Sequence, residues 1–308
     1  MSLYQKIRPK SLNYLIGNES TIKSLKKVLK SPDRPHTYLF CGEQGTGKTT
    51  TARIMAKDLG CSNIDCLELN GSDNRGIDDA REAISIANTA PMGGKCRVII
   101  YDEAHKLTNE AQNALLKVLE DTPESTYFIL CSTDPDKLLK TVRSRCSTYR
   151  FELLNEDQMS ELLSTALETL EKEIEDDNVF FGIIDSAGGS PRNALVILEQ
   201  LLSVNKPEEQ KALLKKLLVE HDVIEICRLL VRGGSWKSIA EIYKGIKDVD
   251  AEIIRRTILG YMKQVMLNEK DTDRVSIASD IIHALSKNTF DSGEPHLVAM
   301  LYDATIKL

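Results

Sequence analysis

Short apolar runs alternate with longer stretches of helical spacing through the first half of the chain. TYLFCG (37–42), CLELNG (66–71), CRVIIYDE (96–103) and TYFILCSTD (126–134) each read as a buried parallel strand closed by a turn or a polar residue. Between them, TTARIMAKDL (50–59) and NEAQNALLKVLED (109–121) carry helical spacing. Strands alternating with helices predict an α/β sheet with right-handed crossovers, whose ligands bind beyond the carboxyl ends of the strands. From about residue 155 the strand signals stop. NEDQMSELLSTALETLEKEI, NVFFGIIDSA and SPRNALVILEQLL are amphipathic helices punctuated by Gly188-Gly189, and they predict a small helical domain ending near residue 203. NKPEEQ (205–210) then reads as a linker, and residues 209–308 look helical throughout, with breaks at Gly233-Gly234 and Ser292-Gly293-Glu294-Pro295. Three domains are expected: 1–153, 154–203 and 204–308.

Composition sharpens this picture in three places. With 42% hydrophobic and 28% charged residues the chain has apolar mass for real cores. No stretch approaches the roughly 20 apolar residues that a membrane span needs, and MSLYQKIRPKSL lacks the apolar region of a secretory signal. No membrane partner is therefore expected, and the cytoplasm is the expected compartment. The seven cysteines include no CxxC pair, so free thiols in a reducing compartment are expected and a zinc set is not. The net charge of −6 is uneven: residues 1–150 hold 22 Lys+Arg against 18 Asp+Glu, and the remainder 18 against 28. The two halves are expected to meet different partners.

The chemistry concentrates at strand ends. Gly42-x4-Gly47-Lys48-Thr49 follows a strand and opens a helix, the context in which this pattern holds nucleotide phosphates. Backbone N–H groups from Gly42, Glu43, Gln44, Gly45, Thr46, Gly47 and on to Thr50 would converge on phosphate at the helix N-terminus. Lys48 would reach the β- and γ-phosphates, and the Thr49 hydroxyl a magnesium ion. CRVIIYDEAH ends in Asp102-Glu103, one carboxylate for the hydrated magnesium and one to polarise the attacking water. His105 reads as a loop histidine. The next strand ends at Thr133, whose hydroxyl could bond the γ-phosphate or the water, or simply cap the strand. Arg145 in VRSRCS and Arg192 in GGSPRNAL sit at turns or helix starts, where either a phosphate ligand or an ordinary salt bridge is open to them.

The combination of LYQKIRPKSLNYLIGNE, GEQGTGKTT, LELNGSDNRGIDDAREAI, VIIYDEAHKLTNEAQNALLKVLED, LCSTDPDKLLKTVRSRC and GGSPRNAL resembles the sliding-clamp loader ATPases of the AAA+ superfamily. Within them it is most similar to the replication factor C small subunit and its phage and bacterial counterparts. The likeness is dense from residue 1 to about 203. Beyond that it rests on length and helical character. The triplet Ser144-Arg145-Cys146 is its most specific sign.

The resemblance implies a parallel-sheet AAA+ domain, a helical lid and an all-helical collar that mediates oligomerisation. It makes Arg145 an arginine finger aimed at a neighbouring subunit's nucleotide, Arg192 the sensor of the lid, and Thr133 the first sensor. It places Arg8, Pro9, Ile16 and Gly17 around the adenine, and puts Arg75 and Gln112 where DNA contact is coupled to the catalytic carboxylate. The implied cofactors are ATP and Mg2+. The implied partners are other loader subunits in a ring- or spiral-shaped pentamer, a sliding clamp and primer–template DNA. The implied setting is the cytoplasm, a host cell's cytoplasm for a phage protein or the nucleus for a eukaryotic one. The four-cysteine zinc module of the bacterial polymerase III loader subunit is absent between the phosphate loop and the Asp102-Glu103 strand, which favours the archaeal and phage small subunits; no long C-terminal extension is expected either. Two other readings stand beside the loader: a Holliday-junction or helicase-type AAA+ motor, and a scaffold that binds ATP with little hydrolysis.

Overall fold

The buried apolar runs become neighbouring strands of one parallel sheet. The computed structural model describes residues 2–204, 206–247, 249–269, 271–290 and 292–306. Among them, β1 (Thr37–Gly42), β2 (Cys61–Asn70), β3 (Cys96–Asp102), β4 (Thr126–Ser132) and β5 (Ser147–Phe151) lie in the order β2-β3-β4-β1-β5. Every pairing is parallel. The three inner strands are buried almost end to end, which is why they read as continuous apolar runs. The edge strand β5 was not expected. Its residues alternate between partly exposed and exposed before Phe151 turns inward, so no apolar run announces it.

The period-2 alternation of the strands assigns each residue to one sheet face. Leu39, Ile99, Tyr101, Phe128 and Leu130 face α4 (Ile77–Ala87) and α5 (Asn109–Glu120), meeting the small side chains Ala80, Ala83 and Ala111. Tyr38, Phe40, Val98, Ile100 and Ile129 face α2 (Glu19–Leu29) and α3 (Lys48–Asp58), packing on Leu25, Ala52 and Met55. Removing a fully buried side chain of this size from water contributes about 1.5–3 kcal/mol. Ahead of the sheet lies the short helix α1 (Leu3–Lys6), and α6 (Lys140–Arg143) leads into β5.

Three helices follow the sheet: α7 (Glu156–Leu170), α8 (Asp177–Ala187) and α9 (Pro191–Leu201). Each start is chemically marked. Asn155 and Gln158 form a reciprocal capping box at α7, and Ser190 caps α9 with Pro191 in its first turn. Gly188 and Gly189 both take positive φ, as the sharp turn between α8 and α9 requires.

The chain divides into two compact units, Met1–Ser203 and Val204–Leu308. The second contains α10 (Pro207–Val231), α11 (Trp236–Gly245), α12 (Ala251–Asn268), α13 (Thr272–Ala284) and α14 (Gly293–Ile306) around Ile254, Ile258 and Met262. Its buried Glu252 accepts from Arg255 Nε at 2.8 Å, Arg256 Nε at 2.9 Å and both the N–H and hydroxyl of Thr289 at 3.0 Å. The expected linker is shorter than its composition suggested: Asn205 lies outside the described residues, and Pro207 already opens α10. Of the expected breaks, Gly233-Gly234 separates α10 from α11, whereas Gly293 opens α14. No described helix is long and apolar enough to cross a membrane.

Candidate functional site

The polar end of β3 opens onto a cleft of about 410 Å³ lined by the phosphate loop, the N-terminal segment and helices α7 and α9. The loop bends through Gly45 at φ 82° and Gly47 at φ 97°, conformations that side-chain-bearing residues rarely adopt. A Cβ on Gly45 would lie 2.4 Å from Ser190 Oγ, so the loop is seated directly on the start of α9. A Cβ on Gly47 would meet nothing within 4 Å: this side of the loop faces open space at the N-terminus of α3, where an anion fits.

The two halves of the motif are joined. Thr49 Oγ1 donates to Asp102 Oδ2 at 2.9 Å, and Asp102 Oδ1 accepts from the Glu103 N–H at 3.1 Å. Lys48 is buried and donates to the carbonyls of Gly42 at 2.8 Å and Glu43 at 2.6 Å. Burial, helped by Arg192, pulls its ammonium below the ordinary lysine value, against the Glu103 and Asp102 carboxylates, which favour the charge. Glu103 sits at φ 51°, ψ 41°, a left-handed conformation costing on the order of 1–3 kcal/mol and concentrated at functional sites. The twist ends the strand and starts the 3-10 turn Ala104–Lys106.

That turn carries a residue that the sequence reading underrated. The His105 side chain is largely covered, with Nε2 3.2 Å from Glu103 Oε2 and 3.5 Å from Thr133 Oγ1, while Nδ1 lies 3.4 Å from Ser132 Oγ. It lies in the turn after β3, as expected, and bridges Glu103 to the end of β4. Burial depresses its pKa, with Lys106 and Lys137 adding to the effect and Glu103 and Asp134 opposing it. The letters D-E-x-H could have signalled this, since three residues of a tight turn bring His105 back onto the strand end.

The other expected residues divide. Arg8, Pro9 and Ile16 line the cleft with Gln44–Thr50, Asp102, Glu103 and Arg192; Gly17 does not, and packs instead against Leu154 and Gln158. Gly42, Glu43 and Thr133 open onto a neighbouring cleft on the same edge of the sheet. The Arg192 guanidinium stacks over the Tyr4 ring, 5.5 Å from its centroid, an apolar partner that no motif advertised. Leu162 and Ala166 of α7 complete an apolar wall, invisible in the sequence because helical spacing alone does not say what a face covers. Arg145 lies outside the cleft, beyond α6, where it donates to the Glu120 carboxylate and to Thr141 O at 2.9 Å. Gln112 is buried and ties α5 to the segment before α6, donating to Leu107 O and accepting from Leu139 N. Arg75 is exposed in the turn before α4.

Thr49 and Asp102 offer hard oxygen donors suited to a magnesium ion that takes its remaining ligands from water and phosphate. Among the described residues no group of three or more His, Cys, Asp or Glu could hold a metal by itself.

A glycine-rich phosphate loop on a five-stranded parallel sheet, followed by a helical lid, makes this an AAA+ fold. The RuvB Holliday junction branch migration motor of Thermotoga maritima superposes with a TM-score of 0.60 at 22% identity, covering 76% of this chain and 84% of that one, a likeness of fold alone. Sequence narrows the class. The family model of the DNA polymerase III delta subunit matches residues 70–155. The DNA polymerase III subunit gamma/tau of Mycobacterium tuberculosis is 38% identical over 226 residues, which cover 66% of this chain and 39% of the relative. Replication factor C small subunit 1 of Pyrobaculum islandicum is 29% identical over 295 residues, covering 92% of this chain and 88% of the relative. The chain is thus similar to clamp-loader subunits of bacterial and archaeal type. Identity is higher to the bacterial relative, of which the chain spans only 39%, whereas the archaeal small subunit is matched nearly end to end.

Proposed function

We propose that the chain is an ATP-dependent clamp-loader subunit that hydrolyses Mg·ATP at subunit boundaries while a sliding clamp is opened and placed on primer–template DNA. The observation that carries this reading is the joining of Thr49 to Asp102 at the mouth of one cleft that also holds Lys48, Glu103 and Arg192. End-to-end similarity to an archaeal replication factor C small subunit supports the loader among AAA+ machines.

The chain's own groups divide the work. Arg8, Pro9 and Ile16 bind the base, and the loop N–H groups with Lys48 bind the phosphates. Lys48 leaves the carbonyls of Gly42 and Glu43 when phosphate enters, exchanging two neutral acceptors for an anion. Thr49 and Asp102 would hold magnesium, which supplies charge neutralisation to the transferring phosphoryl group. Glu103 accepts the proton of the attacking water, and Thr133 and Arg192 sense the γ-phosphate. Arg145, partly exposed and outside its own cleft, reaches the nucleotide of a neighbouring subunit. Loss of the γ-phosphate then removes these contacts and loosens the assembly.

The test is ATP hydrolysis with and without primer–template DNA and a candidate clamp, for the chain mixed with its candidate partner subunits. Stimulation of about tenfold, worth about 1.4 kcal/mol in barrier, is expected. It should vanish in Arg145→Ala while nucleotide binding survives. Equal hydrolysis under all conditions, unaffected by the substitution, would point to an AAA+ ATPase of another kind.

A further inference from the structure

The hydrolytic site contains an imidazole to which the reading above gives no role. His105 stands between the strand end that carries Glu103 and the strand end that carries Thr133, with only 6% of its side chain exposed. Its contact with the Glu103 carboxylate selects its tautomer. Ser132 is fully buried, and its Oγ accepts the Asp134 N–H at 3.1 Å, so its own proton is available to His105 Nδ1 at 3.4 Å. Nδ1 is then the acceptor and Nε2 carries the hydrogen. The opposite tautomer would aim the Nε2 lone pair at a carboxylate oxygen 3.2 Å away, two acceptors facing each other. The contacts to Ser132 and Thr133 are at the long end of hydrogen bonding, so the bond to Glu103 is the one that orients.

We propose that His105 is a positioning residue of the hydrolytic site: held by Ser132 as the Nε2–H tautomer, it anchors Glu103 Oε2 to the end of β4 beside Thr133 and leaves Oε1 for the attacking water. This rests on the assignment of Glu103 as the base. Its physical logic is that the left-handed backbone at Glu103 fixes where the side chain starts, but not where the carboxylate ends. A buried N–H donor at the far end removes that freedom. The same Nε2 lies 3.5 Å from Thr133 Oγ1, so the base and the first sensor flank one ring.

Two measurements on the full chain test this. Imidazole 15N NMR, with His105→Gln used to identify the resonance among the five histidines, should show the Nε2–H tautomer at neutral pH. It should also show a redistribution in Ser132→Ala. An Nδ1–H tautomer or an imidazolium overturns the proposal. Single-turnover hydrolysis of Mg·ATP should then fall tenfold to a hundredfold in His105→Ala, a part of the ~10²–10⁴ that a general base supplies. Nucleotide affinity and unfolding midpoint should not change, and His105→Gln, whose amide can still donate, should recover most of the rate. Equal losses of affinity and rate, or an unchanged or raised rate in His105→Ala while Glu103→Gln abolishes turnover, overturn the anchor and leave the base standing. Full activity of Glu103→Gln overturns the assignment on which it rests.

Discussion

The two ends of strand β3 carry similar charges to opposite effect. At its start Arg97 meets the buried Asp65, which accepts from Ser62 Oγ at 2.5 Å and from the N–H groups of Met92, Gly93 and Gly94 at 2.6, 2.9 and 2.7 Å. Arg97 spends its remaining donors on Thr89 Oγ1 and on the carbonyls of Ile86 and Ala90. Asp65 thus accepts five hydrogen bonds, and both terminal nitrogens of Arg97 donate to protein. At its other end Asp102 has one hydroxyl and one backbone N–H, Lys48 rests on two carbonyls, and Arg192 leans on a ring. A buried charge is tolerable only when it is paired and hydrogen-bonded. The first end meets that requirement within the chain. The second holds its cations on partners that an incoming phosphate can replace, which distinguishes a site from a staple.

The largest effects should separate the ends cleanly. Glu103→Gln should cut hydrolysis by ~10²–10⁴ with nucleotide affinity and unfolding midpoint intact, and Lys48→Ala should lose nucleotide binding itself. A mutant that binds ATP normally without Lys48 would break the comparison at the open end. Asp65→Asn is the converse: we expect an unfolding midpoint lower by about 5 °C or more, with nucleotide affinity per folded molecule unchanged. The same substitution sharpens the comparison through pH. The Ser62 hydroxyl first, then the backbone N–H groups of Met92, Gly93 and Gly94, hold the Asp65 carboxyl below the usual carboxylate range. Its folded pKa is thus below its unfolded value of about 4, so the unfolded chain takes up the proton first as pH falls. The stabilisation is fully present above that value and is lost below it. Asp65→Asn should flatten this acid limb in a series of thermal melts. The smallest effect is at the ring: Tyr4→Leu removes a contact worth about 0.5–1 kcal/mol, so nucleotide affinity should change by no more than about fivefold in titration.

Legibility followed the same division. The inner strands, the phosphate loop and Asp102-Glu103 announce themselves because each depends on local sequence: continuous burial, glycines at fixed spacing, acids at a strand tip. What the sequence hid depends on pairing across distance. Strand β5 earns its place by bonding β1, not by its own hydrophobicity. Tyr4 meets Arg192 across 188 positions of chain (192 − 4) because α1 packs on α9. Asp65 and Arg97, an ordinary acid and an ordinary base in the sequence, become a closed network only when the loop 88–95 folds over them. His105 lay between these cases. It sits inside a local motif, but its partner strand β4 arrives from about thirty residues downstream.

The seven cysteines end as free thiols, and two of them make the chain its own reporter. Cys131, fully buried where β4 nears Lys48, has a thiol pushed far above its ordinary value by burial. Cys227, fully buried in the second unit, is pushed up to about 12, again by burial. Neither can react with a maleimide while its surroundings stay closed, because the thiolate is the nucleophile and neither reagent nor charge is admitted. Their alkylation rates under native conditions therefore clock the transient openings of each unit separately, a timepiece requiring no added label.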